Sequence, residues 1–322
     1  MNPFALSTLK QCVGFLYREE LTEHDSQEKP IGTCFFVGAL SRDQSGWSLY
    51  LVTARHVLRD LLRGDGEIYV RLNRQGIAAG VHYLTLPKDG WIRHPNPEVD
   101  LAVLSWWPPR ASGIVLTALP LDVISSSRQY AESADMNKAW PPDEGEQVFL
   151  VGLLLIHEGA ERNYPIVRMG HVALKTDEVI DLESGRSRYH IIDIQSYRGN
   201  SGAPVWAYYG DDKPHCFLGV LAAAFPSESE ELLRRQPQDR IEVRKYRNYG
   251  IGAVVPGEYL VEMLIEMEKE KDKKPKPWRD RGDLLGAGEQ TPFTKRDMDE
   301  ALRKVSRRKS KPSESDSGSS GT

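Results

Sequence analysis

Residues Gly199-Asn200-Ser201-Gly202-Ala203-Pro204 set one serine hydroxyl between two glycines, in a tight turn within a β-rich region. Glycine reaches backbone conformations closed to other residues. The amides of Gly199 and Ser201 can therefore converge on one point beside the hydroxyl, and converging amides stabilise an oxyanion. By itself the hexapeptide is also an ordinary surface turn. A serine hydroxyl becomes a useful nucleophile only when a base takes its proton, and the usual base is a histidine held in one tautomer by a buried carboxylate.

The chain offers both partners. The apolar run Trp47 to Ala54 reads as a strand that stops in a turn carrying Arg55 and His56 before Val57-Leu58 resumes. Downstream, Val99-Asp100-Leu101-Ala102-Val103-Leu104 sets one carboxylate at the head of an apolar run, where burial demands a partner. Taken singly, His56 could be a capping or core histidine and Asp100 a strand-start cap.

Together, Thr53-Ala54-Arg55-His56-Val57, Asp100-Leu101-Ala102-Val103-Leu104 and Gly199-Asn200-Ser201-Gly202-Ala203-Pro204 resemble the three signature blocks of trypsin-like serine peptidases, in the same chain order. The style is most similar to the bacterial and organellar high-temperature-requirement proteases, here without a PDZ domain. Gly32-Thr33-Cys34-Phe35-Phe36-Val37 is similar to the strand leading toward the histidine, and Gly250 to Pro256 to the last barrel strand. The resemblance implies His56 as general base and acid, Asp100 as its orienting partner and Ser201 as nucleophile, with the Gly199 and Ser201 amides as oxyanion hole. It also implies that Gln195, six residues before the serine, lies at the bottom of the pocket for the residue preceding the scissile bond. Ala222, Ala223 and Ala224 would form one wall of that pocket. A neutral amide there cannot pair with lysine or arginine. Two departures stand out. Asn200 replaces the aspartate that the resemblance says a new N-terminus pairs with after zymogen cleavage, so such activation is not expected. Ala203 stands where a glycine is usual.

The fold so implied is all-β: two six-stranded antiparallel barrels, a C-terminal helix and a disordered tail. The peptidase domain spans residues 1–265, with barrel one at about 10–105, a linker at 106–142 and barrel two at about 143–265. Strands are expected at 12–17, 33–40, 49–54, 68–72, 81–86 and 101–105 in the first lobe. In the second they are expected at 147–156, 166–174, 189–194, 205–209, 216–224 and 250–255, with a helix closing at 256–267. Residues 225–247 form a charged insertion, either a lid or substrate-reading element or a solvated excursion.

From 266 to 322 the chain is a charged, largely disordered tail. A short helix at 294–308 would align Met298, Leu302 and Val305. That stripe reads either as a docking peptide for a partner protein or as a fraying tail helix.

Composition sets the frame. At 322 residues, 40% hydrophobic and 27% charged, the chain reads as an ordinary globular protein, and its net charge of −4 argues against general nucleic-acid binding. Three cysteines, Cys12, Cys34 and Cys216, have no Cys-x-x-Cys spacing and read as reduced core thiols in a cytoplasmic setting. The first residues lack the pattern of a signal peptide, and the longest apolar run, 148–156, is too short for a membrane span. His157-Glu158-Gly159-Ala160-Glu161 lacks the second histidine of a zinc-protease helix, and no Gly-x-x-x-x-Gly-Lys loop occurs. No metal and no cofactor are expected. The sequence therefore reads as a serine endopeptidase acting on a protein or peptide. Two other readings share its residues: a protease-fold module that binds a peptide without cutting it, and an effector inactive until a partner binds.

Overall fold

Most strands of this chain read as continuous apolar runs because both of their faces are buried. Along β2 (Ser26–Leu40) and β3 (Trp47–Thr53), Phe35, Val37, Tyr50 and Val52 face a core shared between two lobes, while Cys34, Phe36, Leu49 and Leu51 face the interior of the first lobe. The computed structural model describes residues 6–21, 26–40, 46–74, 80–109, 113–125, 142–182, 185–208, 216–226 and 248–273. A first helix, α1 (Leu6–Gln11), precedes the sheets.

The first lobe is one nine-stranded sheet. Besides β2 and β3 it holds β1 (Val13–Leu21), β4 (Ile68–Arg74), β5 (Val81–Thr85), β6 (Trp91–Arg93) and β7 (Ala102–Ser105), in the order β5-β4-β1-β2-β3-β7-β6. Two short strands add to it: β8 (Ile114–Val115) on β4, and β9 (Leu119–Pro120) parallel to β2. The closed six-stranded barrel expected for this lobe is not shown: among the described residues the sheet runs from β5 to β6 with no ladder between these ends. Its edge strands β5 and β6 are consecutive, but the chain between them spends its hydrogen bonds locally. Leu86 N–H bonds the Ile68 carbonyl, Pro87 has no N–H to give, and the Trp91 indole bonds the Pro87 carbonyl. With β6 only three residues long, no ladder joins the two edges.

The second lobe is a closed barrel. Its strands are β10 (Gln147–Gly152) and β11 (Ile166–Leu174), then, past a side hairpin of β12 (Ile180–Leu182) and β13 (Gly185–Ser187), β14 (His190–Asp193), β15 (Pro204–Ala207), β16 (Cys216–Pro226) and β17 (Asn248–Pro256). The order is β10-β11-β14-β17-β16-β15, closed by Val148 to Leu150 pairing with Val205 to Ala207. The strand expected over 147–156 ends at Gly152. A Cβ there would press on Ala203 at 3.1 Å and on the Thr33 hydroxyl at 3.2 Å, and the chain turns away into a loop.

Leu260, Met263 and Leu264 seat the C-terminal helix (Gly257–Lys273) on the shared core at helical spacing. The helix runs on to Lys273, past the Met267 end expected from the sequence. Glu268, almost fully buried, accepts a hydrogen bond from the Tyr50 hydroxyl, and Lys271 Nζ lies 2.8 Å from that hydroxyl, so lobe one holds the extra turn. Among the described residues no helix is long and apolar enough to cross a membrane. The insertion over 227–247, the linker at 126–141 and the tail from 274, with its expected helix at 294–308, lie outside the described residues.

Candidate active site

β3 ends at Thr53, Ala54 stays extended, and α2 (Arg55–Leu61) starts at once. Val57, Leu58 and Leu61 bury one face of α2, which leaves His56 partly exposed in the first turn. Ala54 has no side chain to cap the helix, and Asp100 takes that task. Its Oδ1 accepts the His56 N–H at 2.8 Å, and its Oδ2 lies 2.6 Å from His56 Nδ1. Asp100 is 0% exposed, and pairing of Thr53 with Ala102 in the β3–β7 ladder carries it to the helix start. A carboxylate is favoured at a helix N-terminus, where backbone N–H groups lack partners. Two bonds to one residue fix the ring, and Nδ1 facing a carboxylate assigns the proton to Nδ1 and leaves Nε2 as the acceptor. Arg55 steadies the approach to Asp100 by donating to the Pro97 carbonyl at 2.7 Å.

Ser201 lies in the turn between β14 and β15. The Asn200 N–H bonds the Tyr197 carbonyl, the Gly202 N–H that of Leu221 and the Ala203 N–H that of Asn200. Among the described residues, the two interleaved amides, those of Gly199 and Ser201, bond no carbonyl. Positive φ values at Gly199 (94°) and Gly202 (85°) make this spacing feasible, and a Cβ at Gly202 would fall 2.1 Å from the Thr33 carbonyl oxygen. The serine turn meets α2 across Gly32. A Cβ on Gly32 would lie 2.8 Å from Val57 and 3.2 Å from the Ser201 carbonyl, so only glycine lets the two approach. The His56–Asp100 pair of lobe one and the Ser201 turn of lobe two therefore approach each other across Gly32. The Ser201 hydroxyl donates to the Ala222 carbonyl at 3.4 Å; no His56–Ser201 hydrogen bond is present among the described residues.

Of the expected pocket residues, Ala222 is buried beside Ser201, Ala223 is half-buried, and Ala224 pairs with Gly252 in the β16–β17 ladder. Gln195 is exposed in the segment after β14, and no hydrogen bond among the described residues links it to this strand. Among the described residues no three His, Cys, Asp or Glu side chains gather to hold a metal ion.

Sequence reasoning assigned no role to several polar residues that build the junction. Thr33 donates from Oγ1 to the Gly199 carbonyl at 2.6 Å and accepts the Leu153 N–H at 3.0 Å. Arg71, also buried, donates to carbonyl oxygens of the loop 158–160 and to Asn163 Oδ1 at 2.8 Å, so lobe one grips the loop that follows Leu153. Burial lowers the Arg71 pKa from its ordinary value, and it raises that of Glu158, whose carboxylate accepts the Tyr17 hydroxyl. A hydroxyl or guanidinium inside an apolar strand is the signal that could have found both, since each must be satisfied once buried.

The histidine and the aspartate thus stand on the first β lobe and the serine on the second. No family model matches the chain, and no curated protein matches it. Among solved structures it is similar to the MamO protease domain from Magnetospirillum magneticum, at 16% identity over 81% of this chain and 99% of that one, with a TM-score of 0.46. The tobacco vein mottling virus protease is similar at 12% identity over 81% and 84%, with a TM-score of 0.41. The Rv3671c protease in its inactive form is similar at 16% identity over 82% and 92%, with a TM-score of 0.39. At such identities and scores, a functional reading has to stand on the chain's own geometry.

Proposed function

We propose that the chain is a serine endopeptidase that works through an acyl-enzyme. The observation that carries the proposal is His56 held through its backbone N–H and its ring Nδ1 by buried Asp100, across Gly32 from a Ser201 turn whose Gly199 and Ser201 amides bond no carbonyl among the described residues. The Ser201 hydroxyl passes its proton to His56 Nε2 as Oγ bonds the substrate carbonyl carbon. The negative charge on the carbonyl oxygen is met by the Gly199 and Ser201 N–H groups, and Asp100 stabilises the imidazolium. His56 then protonates the departing amine as the C–N bond breaks. Water, deprotonated by the same histidine, releases the acid and restores Ser201.

Gln195 and the alanine strand are assigned to the pocket for the residue before the scissile bond. Gln195, exposed after β14, and the alanines carry no charge to pair with a cation, so lysine and arginine are disfavoured there. A reducing, cytoplasmic setting is part of the proposal, in keeping with Cys12, Cys34 and Cys216 being buried thiols. One observation favours a second reading, a module that holds peptides without cutting them: the Ser201 hydroxyl faces Ala222 instead of His56.

Digestion of an unbiased peptide library separates the two. The wild-type chain should cleave with no cuts after lysine or arginine, and Ser201→Ala should not cleave. Equal cleavage by Ser201→Ala ends the serine mechanism; cuts after basic residues would mean that an acid elsewhere reaches the pocket.

A further inference from the structure

Thr33 touches the serine turn at both carbonyls that flank the Asn200–Ser201 segment. Its Oγ1 donates to the Gly199 carbonyl at 2.6 Å, and its backbone N–H donates to the Ser201 carbonyl at 3.0 Å. The same hydroxyl accepts the Leu153 N–H at 3.0 Å, and its backbone carbonyl accepts the Thr53 hydroxyl at 2.8 Å. From the other side, Asn200 donates from Nδ2 to the Leu153 carbonyl at 2.6 Å and accepts the Tyr197 N–H on Oδ1 at 2.8 Å. Thr33 and Asn200 are both 0% exposed, so none of these bonds is shared with solvent. Low local dielectric strengthens each of them and makes each costly to leave unmade.

The amides of Gly199 and Ser201 sit between these anchors. Tyr197 is tied to Asn200 through both its N–H and its carbonyl, and the Gly199 and Ser201 carbonyls are tied to Thr33. A peptide plane fixed at its neighbours has little freedom to rotate its N–H away. The Leu153 and Leu155 side chains close the remaining side, since a Cβ on Gly199 would fall 2.8 Å from Leu155 and 3.3 Å from Leu153.

We infer that Thr33 is a positioning residue. With Asn200 and the Leu153 backbone it forms a clamp without any charged group that holds the two oxyanion-binding amides in place permanently, across the lobe junction. The inference rests on the peptidase reading, and it goes beyond the absence of an aspartate at 200 by naming what holds the turn instead. The hydroxyl is the part that matters. Valine has the same shape as threonine but leaves the Gly199 carbonyl and the Leu153 N–H unpaired in a buried site.

The test compares kcat and KM of full-length wild type, Thr33→Val and Thr33→Ser on one peptide cut from the library, with thermal melts of all three. Thr33→Val should lose kcat by about 10- to 100-fold with KM changed less than about twofold, because only the developing oxyanion loses support. Thr33→Ser should keep kcat within about threefold of wild type, as the hydroxyl is retained. Asn200→Ala opens the clamp from the serine side and carries the test if Thr33→Val does not fold; the same loss confined to kcat is expected. Wild-type turnover with kcat unchanged in a folded Thr33→Val or Asn200→Ala variant overturns the clamp and leaves the peptidase reading intact. A wild type that turns over no peptide overturns both.

Discussion

The two lobes supply their parts of the site in different ways. In the nine-stranded sheet of lobe one, His56 and Asp100 come from neighbouring strands, β3 and β7, and bond each other directly; the pair is built within one ladder and one helix turn. In the closed barrel of lobe two, the Ser201 turn takes only part of its support from its own strands, through the Gly202 N–H to Leu221 and the Ala203 N–H to Asn200. The rest comes from Thr33 on the other lobe and from Leu153 beyond the end of β10. His56 is positioned locally, and Ser201 by the junction.

The largest effect expected on the local side follows Asp100→Asn. The amide would donate to His56 Nδ1 and favour the wrong tautomer, so kcat/KM should fall by about four orders of magnitude while the Thr33 clamp is untouched. Removing the negative charge also weakens the start of α2, at a cost of about 1 kcal/mol in stability. Kinetics on the library-selected peptide, read with a thermal melt, measure both. A rate loss below about tenfold would mean that another group orients His56.

A smaller effect probes the barrel away from the site. His190 on β14 is buried, and its Nε2 bonds no partner among the described residues. Burial first, then the Arg188 and Lys175 charges, pushes its pKa from 6.5 down to about 4. The folded protein therefore takes up this proton later than the unfolded chain as pH falls. The stability contribution is complete above the unfolded value and is lost as pH drops from 6.5 towards 4. The full loss amounts to about 3 kcal/mol. Urea titrations at pH 7 and pH 4.5 should show a smaller acid-induced drop for His190→Leu than for wild type. Equal drops would remove His190 from the account and leave the acid loss to carboxylates.

The pattern of what the sequence revealed follows the same division. His56 at a strand end, Asp100 at the head of an apolar run and Ser201 between glycines are local signals, and the structure pairs the first two directly and sets the Ser201 turn across Gly32 from their helix. The six strands of the closed barrel were also legible, because each is a bounded apolar run. The nine-stranded first sheet was less so, since β8 and β9 lie within the stretch 106–142 that reads as a linker. The run 148–156 read as one strand because Leu153 and Leu155 are apolar for a different reason, packing on Gly199, and periodicity does not separate a buried strand from a buried loop. The hairpin of β12 and β13 passed unseen among polar residues. Thr33 looked like a common β-branched strand residue, and its task appears only when the other lobe is beside it.

If Ser201 is the nucleophile, it should react with a fluorophosphonate probe, read by intact mass with peptide mapping. A single adduct on Ser201 is expected in the folded wild type, formed far more slowly in Asp100→Asn and absent from Ser201→Ala. A folded wild type that gains no adduct, or an adduct that persists in Ser201→Ala, would contradict it.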